Sequence, residues 1–338
     1  MNIELIPIRQ LKGRCVGFFA PMNGGKTKAV VGELERVEHS GYNCIDYNNS
    51  INVRDNNFLK VDLRYGCPAK AVRNITELRD DLEERISRIR SNTVGETVRK
   101  GMIEFGGIKH HKNLPLAAVG VDEVNLFCLT EKDASEFVDF MKYCNQQGLI
   151  LYIAGLLYDF RQRPFGEVQY VLPHVDLRFN PNPACKAVHQ GKQCGETAIH
   201  TQRLWRLDFA EEQGLAELLG EMDYFDFADK RGGKFIGKYV AAPFFDKTVR
   251  IDEARDGRNV YLPVCDECSR LSYKEVVFRV YDVLVNGGYT NQALKNKVLR
   301  NKILDFLADP DERWVIKEGD GFVPIPYHRN RLGGYSPK

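Results

Sequence analysis

The stretch RCVGFFAPMNGGKT, residues Arg14–Thr27, decides the fold class. Arg14–Ala20 is a short apolar run that stops at a Pro/Gly-rich turn, which is how a strand buried on both faces reads. Lys26–Ser40 continues with helical spacing and ends at Gly41, and Tyr42–Tyr47 is the next strand candidate. Strand, Gly-rich turn, helix and strand make a βαβ unit. A strand feeding Gly-Lys-Thr into a helix places backbone N–H groups and the helix N-terminus around a polyphosphate. Lys26 would then reach the outer phosphates and the Thr27 hydroxyl would sit on Mg²⁺. The standard pattern has glycine where this chain has Ala20. Alone, the motif also fits an ordinary strand–helix turn.

Working outward, Leu116–Val121 (LAAVGV) is a second buried-strand candidate and runs into Asp122-Glu123. A carboxylate at the carboxyl end of a parallel strand shares a sheet edge with the phosphate loop. Asp122 could hold Mg²⁺ through water, and Glu123 could take a proton from an attacking hydroxyl. Asn74–Asn92 is strongly charged, with Asn74 and Glu77 spaced as a capping box. Lys100–Asn113 reads as a surface loop, Glu131–Gln147 as a helix and Leu149–Ala154 as a third apolar strand. Alternating strands and helices predict a doubly wound parallel sheet.

The texture changes near Asn180, where Cys, Pro, Gly and charge replace periodicity. Cys265-Asp-Glu-Cys268 has the spacing of a zinc knuckle, and Cys194-Gly195 lets backbone N–H groups approach a thiolate. With Cys185 these make a candidate structural zinc site, although eight residues separate Cys185 from Cys194. His189 lies between them as a possible replacement ligand. The remaining cysteines (Cys15, Cys44, Cys67, Cys128, Cys144) sit in apolar or helical contexts and read as buried thiols. Ser272-x-x-Glu275 looks like a fresh helix cap, Tyr273–Leu307 reads as helical, and Asp309–Lys338 is Pro/Gly/Arg-rich and expected to be partly disordered.

Composition narrows the function classes. In 338 residues, 48 basic side chains balance 46 acidic ones, so nothing in the charge favours a nucleic-acid or anionic-membrane partner. No apolar run is long enough to span a bilayer, and MNIELIPIRQ lacks a cationic-then-apolar leader pattern. Nine cysteines without the setting of a small secreted domain predict reduced thiols in a cytoplasmic compartment, with metal binding ahead of disulfides.

Six motifs in order resemble those of the zinc-containing thymidine kinases. They are Pro21–Lys26; Val121-Asp122-Glu123 with Asn125 and Phe127; Gly155–Arg161; Pro164-Phe165-Gly166; Thr201-Gln202-Arg203-Leu204; and Tyr261–Cys265. The likeness runs over Val16–Tyr273, about three quarters of the chain. It implies a kinase that moves the γ-phosphate of ATP to the 5′-hydroxyl of thymidine or deoxyuridine in nucleotide salvage. Met22, Asn23, Gly24, Gly25, Lys26, Thr27 and Asp122 would hold Mg-ATP, and Glu123 would be the general base. Met22, Leu126, Leu156, Phe160, Phe165 and Thr201 would line the base pocket, with Tyr261 on a loop closing over the nucleoside. Arg161 and Arg163 would offset charge on the transferring group. The resemblance also implies a homo-oligomer.

This chain has Asn125 where glutamine is usual, and Leu126 where an aromatic often stacks the base. It also has an insertion at Trp205–Arg255 and an added segment Lys274–Lys338. The expected layout is a kinase domain over residues 1–179, a zinc and nucleoside-lid domain over 180–273, and a C-terminal helical extension and tail over 274–338. The rival readings are a nucleotide-binding regulatory protein without turnover and a kinase for another deoxynucleoside.

Overall fold

The structure, a computed structural model, describes residues 3, 6–50, 69–92, 102–105, 108–111, 114–228, 233–247, 257–286, 294–309, 315–318, 321–324, 327–329 and 335–337. Cys67 and residues 248–255 of the insertion lie outside this set. The chain divides into two compact units, residues 1–202 with 261–269, and residues 203–260 with 270–338.

The first unit is built on a six-stranded sheet. Its strands are β1 (Cys15–Phe19), β2 (Asn43–Asn49), β3 (Ala69–Val72), β6 (Leu116–Val121), β7 (Ile150–Gly155) and β8 (Leu177–Phe179), in the order β3-β2-β6-β7-β1-β8. Every adjacent pair is parallel, so the doubly wound sheet read from the sequence is present. All residues of β1, β2 and β7 are buried, as a parallel strand covered on both faces requires.

Between β3 and β6 run β4 (Met102–Phe105) and β5 (Ile108–His111), paired antiparallel. This corrects the loop expected over Lys100–Asn113. The Gly, His and Lys content of this stretch masked two short strands.

Helices cover the sheet on both faces. Helices α1 (Ile8–Leu11) and α2 (Lys26–His39) supply Leu11, Val30, Leu34 and Val37 to a core with Phe18, Ala118 and Tyr152. The opposite core joins α3 (Ile75–Asn92), α4 (Val124–Phe127) and α5 (Glu131–Gln146) through Leu78, Leu82, Phe127, Phe137 and Phe140. Asn74 Oδ1 accepts from the Glu77 amide at 2.9 Å, half of the box read there, while Glu77 Oε2 accepts from the Arg73 amide; Thr130 with Asp133 forms a full capping box on α5. The charged face of α3 also reaches inward. Asp81 accepts from Tyr47 Oη at 2.7 Å, Lys70 Nζ at 2.5 Å and Arg85 Nε at 2.6 Å. A buried carboxylate is tolerable on those terms.

The second unit carries α6 (Leu207–Glu212), α7 (Lys274–Val285) and α8 (Lys297–Ala308). Within it, Leu204–Arg206 pairs antiparallel with Tyr239–Ala241. Asp246 accepts from Arg203 Nη1 at 2.9 Å and Trp205 Nε1 at 3.0 Å, with both charged side chains buried. Ser272 does not cap α7. Tyr273 occupies that position in the left-handed region, because Ser272 Oγ donates to Asp223 Oδ2 at 3.1 Å instead. In the tail, Val315–Glu318 pairs with Gly321–Pro324 and Tyr327–Arg329 with Tyr335–Pro337, so parts of the segment expected to be disordered form hairpins.

Candidate functional site

The turn after β1 is shaped for close backbone approach. Gly25 precedes α2 at φ +85°, and a Cβ at Gly24 would stand 2.7 Å from both Ala20 Cβ and Pro21 O. The methyl of Ala20 is therefore accommodated by the missing side chain at Gly24. Lys26 is buried, and its Nζ donates to Pro21 O at 3.0 Å. Burial lowers its pKa, against the opposing charges of Glu123 and Asp122.

Only β7 separates β1 from β6, so Asp122 emerges at the same sheet edge as the turn. Thr27 Oγ1 donates to Asp122 Oδ2 at 2.6 Å, and the Glu123 amide donates to Asp122 Oδ1 at 2.9 Å. Burial, then the charge of Glu123, pushes the Asp122 carboxyl up to about 7, against the Thr27 bond and the charge of Lys26. Glu123 is half-buried with φ 53° and ψ 45°, a left-handed backbone unusual for a residue with a side chain. Such strain persists only where surrounding structure over-determines it, and it clusters at functional positions. The hard oxygens of Thr27 and Asp122 suit Mg²⁺.

Sequence reasoning passed over a further carboxylate. Asp46 on β2 is 1% exposed and stands beside Gly120 in register. Among the described residues, neither of its oxygens meets a hydrogen-bond donor at bonding geometry. Burial, then the charge of Asp122, holds its pKa well above the usual carboxylate range, against a smaller pull from the Tyr47 amide.

Asn125 is 1% exposed, and its Oδ1 accepts from the Leu156 amide at 2.9 Å, fixing the exit of β7. Asp159 organises the loop that follows. Its Oδ1 accepts from the amides of Arg161 (2.8 Å) and Arg163 (3.0 Å), and its Oδ2 accepts from Arg161 Nε at 3.0 Å. Arg161 is buried in that pair with its guanidinium carbon 5.3 Å from the Phe160 ring centroid. Phe160 and Phe165 are buried, while Met22 and Leu126 are half-buried. A cavity of about 170 Å³ lies beside the turn, and of the expected pocket residues it is lined by Leu156 and Thr201.

Two hydrogen bonds tie the turn after β1 to segments far along the chain. The Met22 amide donates to Thr201 Oγ1 at 3.0 Å, and Asn23 Nδ2 donates to Tyr261 O at 2.7 Å. These anchors flank the cysteine cluster, Thr201 after its first pair and Tyr261 before its second.

Cys185, Cys194, Cys265 and Cys268 place their Sγ atoms within 4.8 Å of one another. Thiolates on one tetrahedral zinc stand about 3.8 Å apart, and Cys194 Sγ to Cys265 Sγ is 3.8 Å. The four soft donors therefore fit a zinc ion. The loose spacing of the first pair is absorbed by a hairpin. Strands β9 (Val188–His189) and β10 (Lys192–Gln193) pair antiparallel, and the Cys194 amide donates to Ala187 O at 2.8 Å. His189 Nε2 lies 3.0 Å from Cys268 Sγ. Cys15, Cys44, Cys128 and Cys144 are buried and unbridged, as expected.

Residues 80–226 match the sequence profile of the family described as thymidine kinase. The likeness is to the thymidine kinases. The thymidine kinase of Mesoplasma florum is 30% identical over 86 residues, which is 25% of this chain and 36% of that protein. The chain thus aligns with little more than a third of that relative's length. The profile match spans Asp122, Glu123, Asp159, Arg161, Cys185, Cys194 and Thr201. Lys26 and Thr27 precede it, and Tyr261, Cys265 and Cys268 follow it. The resemblance read from the motifs is borne out by these matches. No helix among the described residues is long and apolar enough to cross a membrane.

Proposed function

We propose that the chain is an ATP-dependent thymidine kinase that transfers the γ-phosphoryl group to the 5′-hydroxyl of thymidine or deoxyuridine. The observation that carries this reading is the Thr27–Asp122 hydrogen bond, which brings the turn after β1 and the acidic pair after β6 to one site. Phosphoryl transfer needs positioning and charge neutralisation more than covalent help from the protein. Lys26 and the amides of Asn23–Thr27 would cradle the polyphosphate. A Mg²⁺ held by Thr27 and Asp122 would offset phosphate charge. Glu123 would accept the 5′-hydroxyl proton as that oxygen bonds to the γ-phosphorus and the bond to the β–γ bridging oxygen breaks, releasing ADP. Arg161, oriented by Asp159, and Arg163 would face the charge on the group in flight.

The nucleoside would sit among Met22, Leu126, Leu156, Phe160, Phe165 and Thr201, with Tyr261 on the closing segment. Zinc on the four cysteines would hold Thr201 and Tyr261 in place, and the Met22–Thr201 and Asn23–Tyr261 bonds support that coupling. The profile match and the M. florum relative support thymidine as the acceptor. The test is a coupled measurement of ADP formation across a panel of nucleosides. Thymidine-dependent turnover is expected, and ATP consumption that ignores every nucleoside would refute the reading.

A further inference from the structure

The hairpin that closes the first cysteine pair also delivers a histidine to the cluster. Gln190 and Gly191, between β9 and β10, both take left-handed backbone, at φ 48° and 77°. That tight turn holds His189 at the end of its strand, where its Nε2 reaches Cys268 Sγ across 3.0 Å. Donor and acceptor are 79 residues apart in sequence, so the contact joins the first-pair hairpin to the second-pair knuckle.

Two roles are open to such a histidine, zinc ligand or hydrogen-bond donor to a zinc-bound thiolate. The observed 3.0 Å brings the ring nitrogen within hydrogen-bonding reach of the sulfur, and the four thiols already complete a closed structural site without it. Metal binding also settles the direction of the bond. A metal-bound cysteine is a thiolate without a proton, so only the ring N–H can donate across this contact.

We propose that His189 donates its Nε2–H to the metal-bound Cys268 thiolate, acting as a positioning residue that slows loss of the metal. The proposal rests on the reading of the four cysteines as a zinc site. Donors of this kind orient ligands, and their removal typically lowers metal affinity about 10–100-fold.

The experiment compares zinc-loaded wild type, His189→Ala and His189→Gln in the full chain. Zinc content, the rate of zinc transfer to a colorimetric chelator, and the absorption of the cobalt-substituted proteins are measured. The expected result is one zinc in each protein, with release on the order of 10–100-fold faster in His189→Ala and partly restored in His189→Gln, whose amide can still donate. The cobalt–thiolate charge-transfer band should move to lower energy in His189→Ala while keeping a four-sulfur intensity, a signature that general loosening of the hairpin would not produce. Unchanged release in His189→Ala overturns the proposal, as does a cobalt spectrum showing that a nitrogen ligand was lost. Wild type that binds no zinc overturns the metal reading beneath it, which distinguishes the two failures.

Discussion

The Thr27 hydroxyl donates a 2.6 Å hydrogen bond to Asp122 Oδ2, joining the first turn of α2 to the residue that follows β6. On the proposed reading both atoms would turn to the metal of a Mg-ATP complex. Asp122 also titrates near neutrality, at about 7, because burial and Glu123 disfavour its charge. A raised carboxyl pKa means that the ionised, metal-holding form is depleted as pH falls. The half-saturating Mg²⁺ concentration should therefore rise from pH 8 to pH 6, approaching about tenfold per unit below the pKa. Asp122→Asn should raise the Mg²⁺ requirement at pH 8 and flatten this dependence. A wild-type Mg²⁺ requirement that is flat across this range would contradict the assignment.

Lys26 is buried beside two carboxylates, and the proposed role of its charge is to meet the phosphates. Lys26→Ala removes a charge-assisted contact worth about 1.5–3 kcal/mol, so kcat/KM for ATP should fall about 10- to 100-fold. Thymidine binding, read by calorimetry without nucleotide, should survive. Loss of thymidine affinity with normal ATP use would invert the proposed layout.

Asp46 gives a stability prediction with a definite sign. Its folded-state pKa is raised well above the unfolded value of about 3.9 by burial and then by Asp122. The folded protein therefore binds the proton more tightly. The stability this contributes is complete below the unfolded pKa and is lost as pH climbs toward the folded pKa. Asp46→Asn cannot ionise, so its melting temperature relative to wild type should increase from pH 5 to pH 8 in Mg²⁺-free buffer. A constant difference across that range would show that Asp46 keeps an ordinary pKa.

Much of this was legible in the chain itself, for local reasons. The apolar runs before Gly24-Gly25-Lys26 and before Asp122-Glu123 announce buried parallel strands, and glycine at 25 announces a backbone that turns through positive φ. The cysteine tetrad was legible from types alone, although the hairpin that brings Cys185 to Cys194 was not. What stayed hidden depends on partners distant in sequence. Asp46 reads as one polar residue in a strand, and only the packing of β2 beside Gly120 shows that its carboxyl is sealed. Asn125 reads as a departure from a motif until the Leu156 amide appears opposite it, and Ser272 reads as a cap until Asp223 claims its hydroxyl. Short strands around Gly106-Gly107 were missed because composition outweighed a weak alternation.

Asn125 supplies a further test of that hidden layer. Asn125→Ala leaves the buried Leu156 amide without its acceptor, a loss of about 1–3 kcal/mol. Denaturant unfolding should show a lower midpoint with an unchanged slope. A midpoint equal to wild type would mean that water satisfies the amide as well as Asn125 does.

In the proposed reaction Glu123 is the base for phosphoryl transfer to a nucleoside hydroxyl. Glu123→Gln keeps shape and a hydrogen-bonding group but cannot accept the proton. The direct measurement is transfer of labelled γ-phosphate from ATP to thymidine by wild type and by Glu123→Gln, with binding of both substrates measured in parallel. Under that assignment wild type should give labelled thymidine monophosphate, with kcat reduced on the order of 10²–10⁴-fold in the variant and binding nearly unchanged. Near-wild-type kcat in Glu123→Gln, or no labelled nucleotide from wild type, would contradict it.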